Sequence, residues 1–371
     1  MEAKRMWIER IEEYVRRDRV PDVVRFIINE ENGIVKVELL AELLKRVTTL
    51  EDYQYVKGEL MKCRYEVPDR KTKALVLSII GEALFSSGDE KEGIKFFKEA
   101  MSVARSIGIE KWRAEALIGV ALNMVRAGFY EDAFYLFIDA FEAVSAVKKR
   151  ESVSAIRLFR KLGDSMIFSL EWVDSGEWAV EFLRSASEAY AEGGLEILSR
   201  NAEAKAVLIE RAVEGDVGLL RRILAEDWLD GAVIMARYMP PEKRGSAFLE
   251  ISFWLLANEK KNLGQQVFED ALSLLSRFRA SDDYLTTIAF DFAKLGYPDL
   301  AMRLTKLIRS KEMLSKVLSR VALEYFRQGD EFMAKTIILA IPDETIKNKL
   351  LQQIGGGSNV GYEQGLPITR G

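Results

Sequence analysis

The sequence predicts an all-α protein: a solenoid of antiparallel helix pairs that ends in a non-helical, Gly-rich C-terminal tail. Three observations predict it. Apolar residues recur at helical spacing almost throughout. Five of seven prolines are followed directly by an acid. A pattern of large, small and glycine residues recurs at spacings of 40 and 33.

Residues 1–68 read as an N-terminal helical cap. Trp7, Ile8, Ile11, Tyr14 and Val15 form one stripe, and Leu39, Leu40, Leu43, Leu44 and Val47 another. The pairs Pro21-Asp22, Pro68-Asp69, Pro241-Glu242, Pro298-Asp299 and Pro342-Asp343 read as helix starts. Proline loses no hydrogen bond in a first turn, and an acid there meets the positive end of the helix dipole. The expected count is eighteen to twenty helices.

Residues 69–192 read as a first repeat block. Ile80-Gly81, Leu84, Gly88, Gly93, Phe97 and Ala100 match Val120-Ala121, Met124, Gly128, Ala133, Phe137 and Ala140 at a spacing of 40. Residues 193–354 read as a second block. There Ile288-Ala289, Phe292, Gly296 and Ala301 match Val321-Ala322, Tyr325, Gly329 and Ala334 at a spacing of 33. Ile251-Ser252, Leu255, Gly264, Phe268 and Ala271 form a weaker copy. Between 150 and 240 the pattern blurs, and Ala179 comes about one turn late after Leu162-Gly163. This stretch is a bend or a domain junction.

The arrangement is a large and a small residue on one helix, a turn glycine, then a small and a large residue on the next. It resembles the tetratricopeptide repeat, a helix-turn-helix unit of about 34 residues. Gly88, Gly128, Gly296 and Gly329 fall at that family's turn position, and Gly93, Ala133, Ala301 and Ala334 at its small second-helix position. Most of the repeats lack the family's closing proline. The resemblance implies a right-handed superhelix whose first helices line a concave groove. Carried over repeat by repeat, the groove positions are Glu82, Phe85, Leu122, Val125 and Arg126, then Phe253, Leu256, Phe290, Lys294, Leu323, Phe326 and Arg327. The Lys/Asn set with which some family members clamp a C-terminal carboxylate is absent.

The tail, GGGSNVGYEQGLPITRG over 355–371, breaks the helical pattern and opens like a flexible linker. It reads as a spacer followed by a tethered peptide or a natural tail. Tyr362, Leu366, Ile368 and Arg370 are its candidate anchors, docking on this chain or on a swapped neighbour, with Glu82 a candidate partner for Arg370.

Composition narrows the chemistry. The chain has 371 residues, with 54 Lys and Arg against 58 Asp and Glu, for a net charge of −4. That balance argues against a nucleic-acid partner. Short basic runs at Arg16-Arg17, Lys148-Lys149-Arg150 and Arg221-Arg222 are flanked by acids. There is no histidine and one cysteine, Cys63. Histidine-based acid–base chemistry, an internal disulfide and His or Cys metal clusters are thereby excluded. Gly88 to Lys95 only approximates a phosphate loop, and its glycines fit repeat positions. Asp282-Asp283 lacks a third acid at Thr286, and Ser281 reads as a helix cap. Scarce cysteine and abundant Glu, Lys and Arg suggest an intracellular, thermophilic source. No signal core or membrane-length apolar run is present, so a cytoplasmic location without membrane partners is expected.

The expected function is a non-enzymatic adaptor, without metal or cofactor, that binds a protein or peptide segment in the groove. The alternatives are a small-ligand sensor and an all-helical enzyme.

Overall fold

The computed structural model describes residues 2–355, and every regular element among them is helical. Two compact units divide at Glu210/Arg211, inside a helix. The first unit holds α1 (Glu2–Arg16), α2 (Val20–Ile28), α3 (Gly33–Leu44), α4 (Leu50–Cys63), α5 (Arg70–Ser86), α6 (Glu90–Arg105), α7 (Glu110–Arg126), α8 (Tyr130–Lys148), α9 (Ser152–Ser169) and α10 (Gly176–Glu192). The boundary falls in α11 (Glu196–Val213). The second unit holds α12 (Val217–Ala225), α13 (Leu229–Tyr238), α14 (Pro241–Ala257), α15 (Lys261–Arg277), α16 (Asp282–Lys294), α17 (Pro298–Thr305), α18 (Lys311–Arg327), α19 (Glu331–Leu339) and α20 (Glu344–Gly355). The anchors assigned to the tail, Tyr362, Leu366, Ile368 and Arg370, lie outside the described residues.

Consecutive helices pack as pairs, and the pairs stack in solenoid fashion. In the first unit α3, α5, α7 and α9 adjoin one another in sequence, forming a layer of first helices. In the second unit α12, α14, α16, α18 and α20 do the same.

The pairing rests on a fixed local device. Gly81/Gly93, Ala121/Ala133, Ser252/Gly264, Ala289/Ala301 and Ala322/Ala334 are small residues twelve positions apart. All ten are buried. A Cβ on Gly93 would stand 2.8 Å from the Gly81 carbonyl oxygen and 2.8 Å from the Phe85 amide nitrogen. Backbone therefore meets backbone where α5 crosses α6. At Gly264 the same approach lets the Ser252 hydroxyl donate to the glycine carbonyl at 2.8 Å.

Seven residues after the first small residue, the chain reverses. Gly88, Gly128, Gly296 and Gly329 have φ of 89°, 84°, 92° and 87°. Each lies two residues beyond a helix end, and its N–H donates three residues back, as Gly88 does to Phe85. The next N–H donates five back, as Asp89 does to Leu84. This pair of bonds is the Schellman motif, which requires a left-handed residue at that position. The copy that lacks a turn glycine uses the same geometry: Glu259 holds φ 62°, with Lys260 bonded to Leu255. Asp18 and Asp227 do likewise at φ 55° and 60°.

Proline-acid pairs divide into two kinds. Pro21, Pro241 and Pro298 occupy the first helical turn, as expected. Asp69 and Asp343 instead precede their helices as N-caps. The Asp69 carboxylate accepts from the Thr72 amide at 2.9 Å, and Asp343 accepts from Thr345 at 2.8 Å. A carboxylate placed there satisfies an otherwise orphaned donor directly. Around 163 the repeat is altered. Tyr190 fills the space above Gly163, where a Cβ would meet the ring at 2.7 Å, and a longer turn delays Ala179.

Phenylalanines fill both cores. Phe137 and Phe182 meet edge-on at 5.8 Å in the first unit, and Phe268 and Phe292 at 5.2 Å in the second. Each such pair adds about 0.5–1.5 kcal/mol beyond area burial.

Two outcomes follow from the crossing and the cap. Gly93→Ala forces a Cβ against backbone that has no rotamer to yield, and it should cost about 1–3 kcal/mol in urea unfolding. At the turns the two residue types should respond oppositely. Gly128→Val should cost about 1 kcal/mol or more, whereas Glu259→Gly should gain up to about 1 kcal/mol. Equal effects at Gly128 and Glu259 would contradict the shared cap geometry.

Candidate functional site

The first-helix layer of the first unit carries a chain of polar contacts. Lys45, just after α3, bonds Glu82 of α5 at 2.6 Å, and the Ser86 hydroxyl donates to the same carboxylate. The Asn123 amide of α7 donates to the Ser78 hydroxyl of α5 at 2.8 Å, and Arg126 donates to Asn123 at 3.3 Å. The Arg126 guanidinium lies over the Trp172 ring, 4.9 Å from its centroid. Trp172 in turn packs edge-on against Phe168, at 4.9 Å.

Phe168 ends an open face of α9. The packed face of that helix holds Ala155, Leu158, Phe159, Leu162, Gly163 and Met166, all buried. The opposite face runs Val153, Ile156, Arg157, Arg160, Lys161, Asp164 and Phe168, a spacing of three and four residues. Val153 is 67% exposed, Ile156 44% and Phe168 42%. A depression of about 470 Å³ follows this face, lined by Arg157, Arg160, Lys161, Asp164, Ser165 and Phe168. Arg160 pairs loosely with Asp164 at 3.7 Å, and Asp164 also accepts from the Tyr190 hydroxyl at 2.7 Å. Among the described residues no ion pair is formed by Arg157 or Lys161.

The second unit holds a tighter cluster. Glu250 of α14, buried, bonds Arg221 of α12 at 2.6 Å and accepts from the Tyr284 hydroxyl of α16 at 2.9 Å. Burial raises the Tyr284 phenol well above its ordinary range, with the Glu250 charge adding to it. Asp291 is half-buried nearby. Burial, then the Glu250 charge, raises its carboxyl above the usual value.

The twelve expected groove residues are divided between the two units, five in the first and seven in the second. Glu82 is engaged by Lys45, and its expected pairing with Arg370 lies outside the described residues. Val125 is wholly buried and Leu256 is 3% exposed, packed on Gly264. Both are core residues, because their positions one helical turn before the cap turn inward at the crossing. Phe85 is half-buried in the α5–α6 crossing, with its ring 4.8 Å from Phe129. Phe253, Phe290 and Leu323 are half-buried on the core of the second unit. Leu122 and Phe326 are half-buried as well, while Lys294 and Arg327 are exposed. Arg126 alone reaches the aromatic end of the open α9 face. That face escaped the sequence reading because the repeat pattern lapses there. Applying the 3.6-residue period to charges as well as apolar residues exposes it.

The remaining candidates have structural explanations. Gly88 caps a helix and Gly93 makes the helix crossing. Asp282 accepts from the backbone amides of Ser310 and Arg309, and the Ser310 bond chiefly holds its carboxyl below the usual range. Burial pushes the Cys63 thiol up to about 11. Each basic run holds a cation paired with an acid: Arg17 with Glu13, Lys148 with Glu192 and Arg221 with Glu250. Among the described residues, no group of three or more Asp, Glu or Cys is placed to hold a metal. No helix there is long and apolar enough to cross a membrane.

The fold has a counterpart among solved structures. The crystal structure of Ton1535 from Thermococcus onnurineus NA1 superposes with a TM-score of 0.56 at 21% identity, covering 94% of this chain and 99% of that one. A circular tandem repeat protein with novel repeat topology and enhanced subunit contact surfaces aligns over 94% of this chain and 84% of its own, at 15% identity and a TM-score of only 0.19. No protein-family model and no curated protein matches the chain. The likeness to Ton1535 is one of fold.

Asp291 gives the site a pH signature. Its carboxyl is raised in the folded chain, so ionising it costs more there than in the unfolded chain. That cost is absent below the unfolded value and complete above the folded one. Asp291→Asn should therefore raise Tm at pH 7, and the gain should vanish as pH falls below the ordinary carboxylate range. A gain that persists at pH 3 would assign the effect to something other than the charge.

Proposed function

We propose that the protein is a non-enzymatic adaptor of the tetratricopeptide-like class, which binds a protein or peptide segment along its first-helix layer. The observation that supports this most is the open face of α9. There Val153, Ile156 and Phe168 are exposed in register with three cations. Apolar side chains aligned with charge on one helix face are the features a helical repeat offers a bound segment. Burying the apolar ends supplies affinity, and the cations fix register. Arg126 and Trp172 form the neighbouring edge.

The alternative of a sensor or enzyme finds its best footing in the Glu250–Asp291 pair. Glu250 is already occupied by Arg221 and Tyr284, an arrangement suited to tying α12, α14 and α16 together.

A peptide-display library panned against the full chain tests the adaptor reading. Enriched peptides carrying a photo-reactive group should crosslink to α5, α7 and α9. No enrichment, or crosslinks confined to α6, α8 and α10, would overturn it.

A further inference from the structure

Three cations, Arg157, Arg160 and Lys161, stand exposed on the open face of α9. Arg17, Lys57, Arg105, Lys148 and Arg221 are each held by an acid at 2.5–2.8 Å. Arg157 and Lys161 are one turn apart on one face, and their ion pairs are not made among the described residues. Arg160 between them shares its acid with Tyr190. A net positive strip thus sits on a chain whose overall charge is −4. Apolar residues flank it at both ends.

From this juxtaposition we infer that the α9 face is the docking site of an acidic protein segment whose carboxylates are bracketed by apolar residues. The inference rests on the adaptor reading and names its partner class. Val153 and Phe168 are fifteen positions apart, so the face is about 22 Å long at 1.5 Å per residue. A segment of about seven extended residues spans it. Arg157 and Lys161 lie about 6 Å apart along the axis, which matches acids two residues apart on an extended chain. The outer apolar residues cover Val153 and Ile156 at one end and Phe168 at the other. Charge complementarity favours such a partner over the chain's own tail: residues 356–371 carry one acid, Glu363, and one base, Arg370. It also favours protein over nucleic acid, because Asp164 interrupts the cationic row and hydrocarbon flanks it.

The test is fluorescence anisotropy with the full chain and a labelled peptide of about nine residues, in which two central glutamates, two residues apart, are flanked by leucine and phenylalanine. Three further probes accompany it: the same peptide with glutamine for glutamate, one with lysine for glutamate, and a short single-stranded DNA. The acidic peptide should saturate below millimolar concentration and weaken as salt rises. The double variant Arg157→Glu/Lys161→Glu should weaken it by about tenfold or more, while Lys261→Glu on α15 in the second unit should leave it unchanged. All three positions are exposed, and matching circular-dichroism melts confirm that the variants fold. Equal binding of the glutamine peptide, or indifference to the double charge reversal, would overturn the acidic partner and leave the adaptor reading standing. Tighter binding of the DNA would overturn it in favour of a phosphate backbone. If no peptide saturates by millimolar concentration, this inference fails; the adaptor reading fails separately if the display library also enriches nothing.

Discussion

Two small residues twelve positions apart hold this architecture together. They let one helix lie backbone-to-backbone on the next, and the rest of each repeat follows from that approach. The chain must reverse within the intervening residues, so the seventh position takes a left-handed conformation to end the first helix. The large residues beside the small ones then interlock around the crossing, as Phe97 does near Gly81. A bulky residue at either small position separates the helices and loosens the packing beyond them. Interiors are packed too densely to absorb such a change locally.

Charge plays a different part. Arg105 reaches Asp139, Lys148 reaches Glu192 and Arg303 forks onto Glu269, in each case between corresponding helices of adjacent repeats. Such pairs are substantially exposed, and exposed pairs contribute between nothing and about 1 kcal/mol each. Their use is directional: they favour one stacking register, while burial of phenylalanine and alanine supplies most of the cohesion. The buried Ser78–Asn123 hydrogen bond acts similarly between α5 and α7, since either partner alone would leave a buried polar group unsatisfied.

Much of this was legible in the sequence. Glycine spacing located four caps, and the Ile80-Gly81 and Val120-Ala121 pairs located the helix crossings. What the linear pattern could not supply was the rotation of each first helix about its own axis. Val125 and Leu256 sit at equivalent distances before their turns and both rotate inward, whereas Arg126, one residue on, rotates out to Trp172. The α9 face was illegible for another reason. Gly163 receives an aromatic ring instead of a second small residue, so the repeat template loses its place just where the exposed stripe runs. Glu259 hid its cap because only the backbone, not the residue type, betrays a left-handed turn.

Those acidic caps have an evolutionary side. In a stacked array each repeat leans chiefly on its neighbours, so the weakness of one joint stays local. Asp18, Asp227 and Glu259 hold turns at a steric cost that glycine avoids, and two of the three follow one another in α12–α13 and α14–α15. The second unit thereby begins with two successive strained joints. A one-base change converts a GAA, GAG, GAT or GAC codon to glycine at any of them. The molecule thus carries a reserve of stability one mutation away, enough to absorb the destabilisation that a new binding surface on the same repeats brings with it.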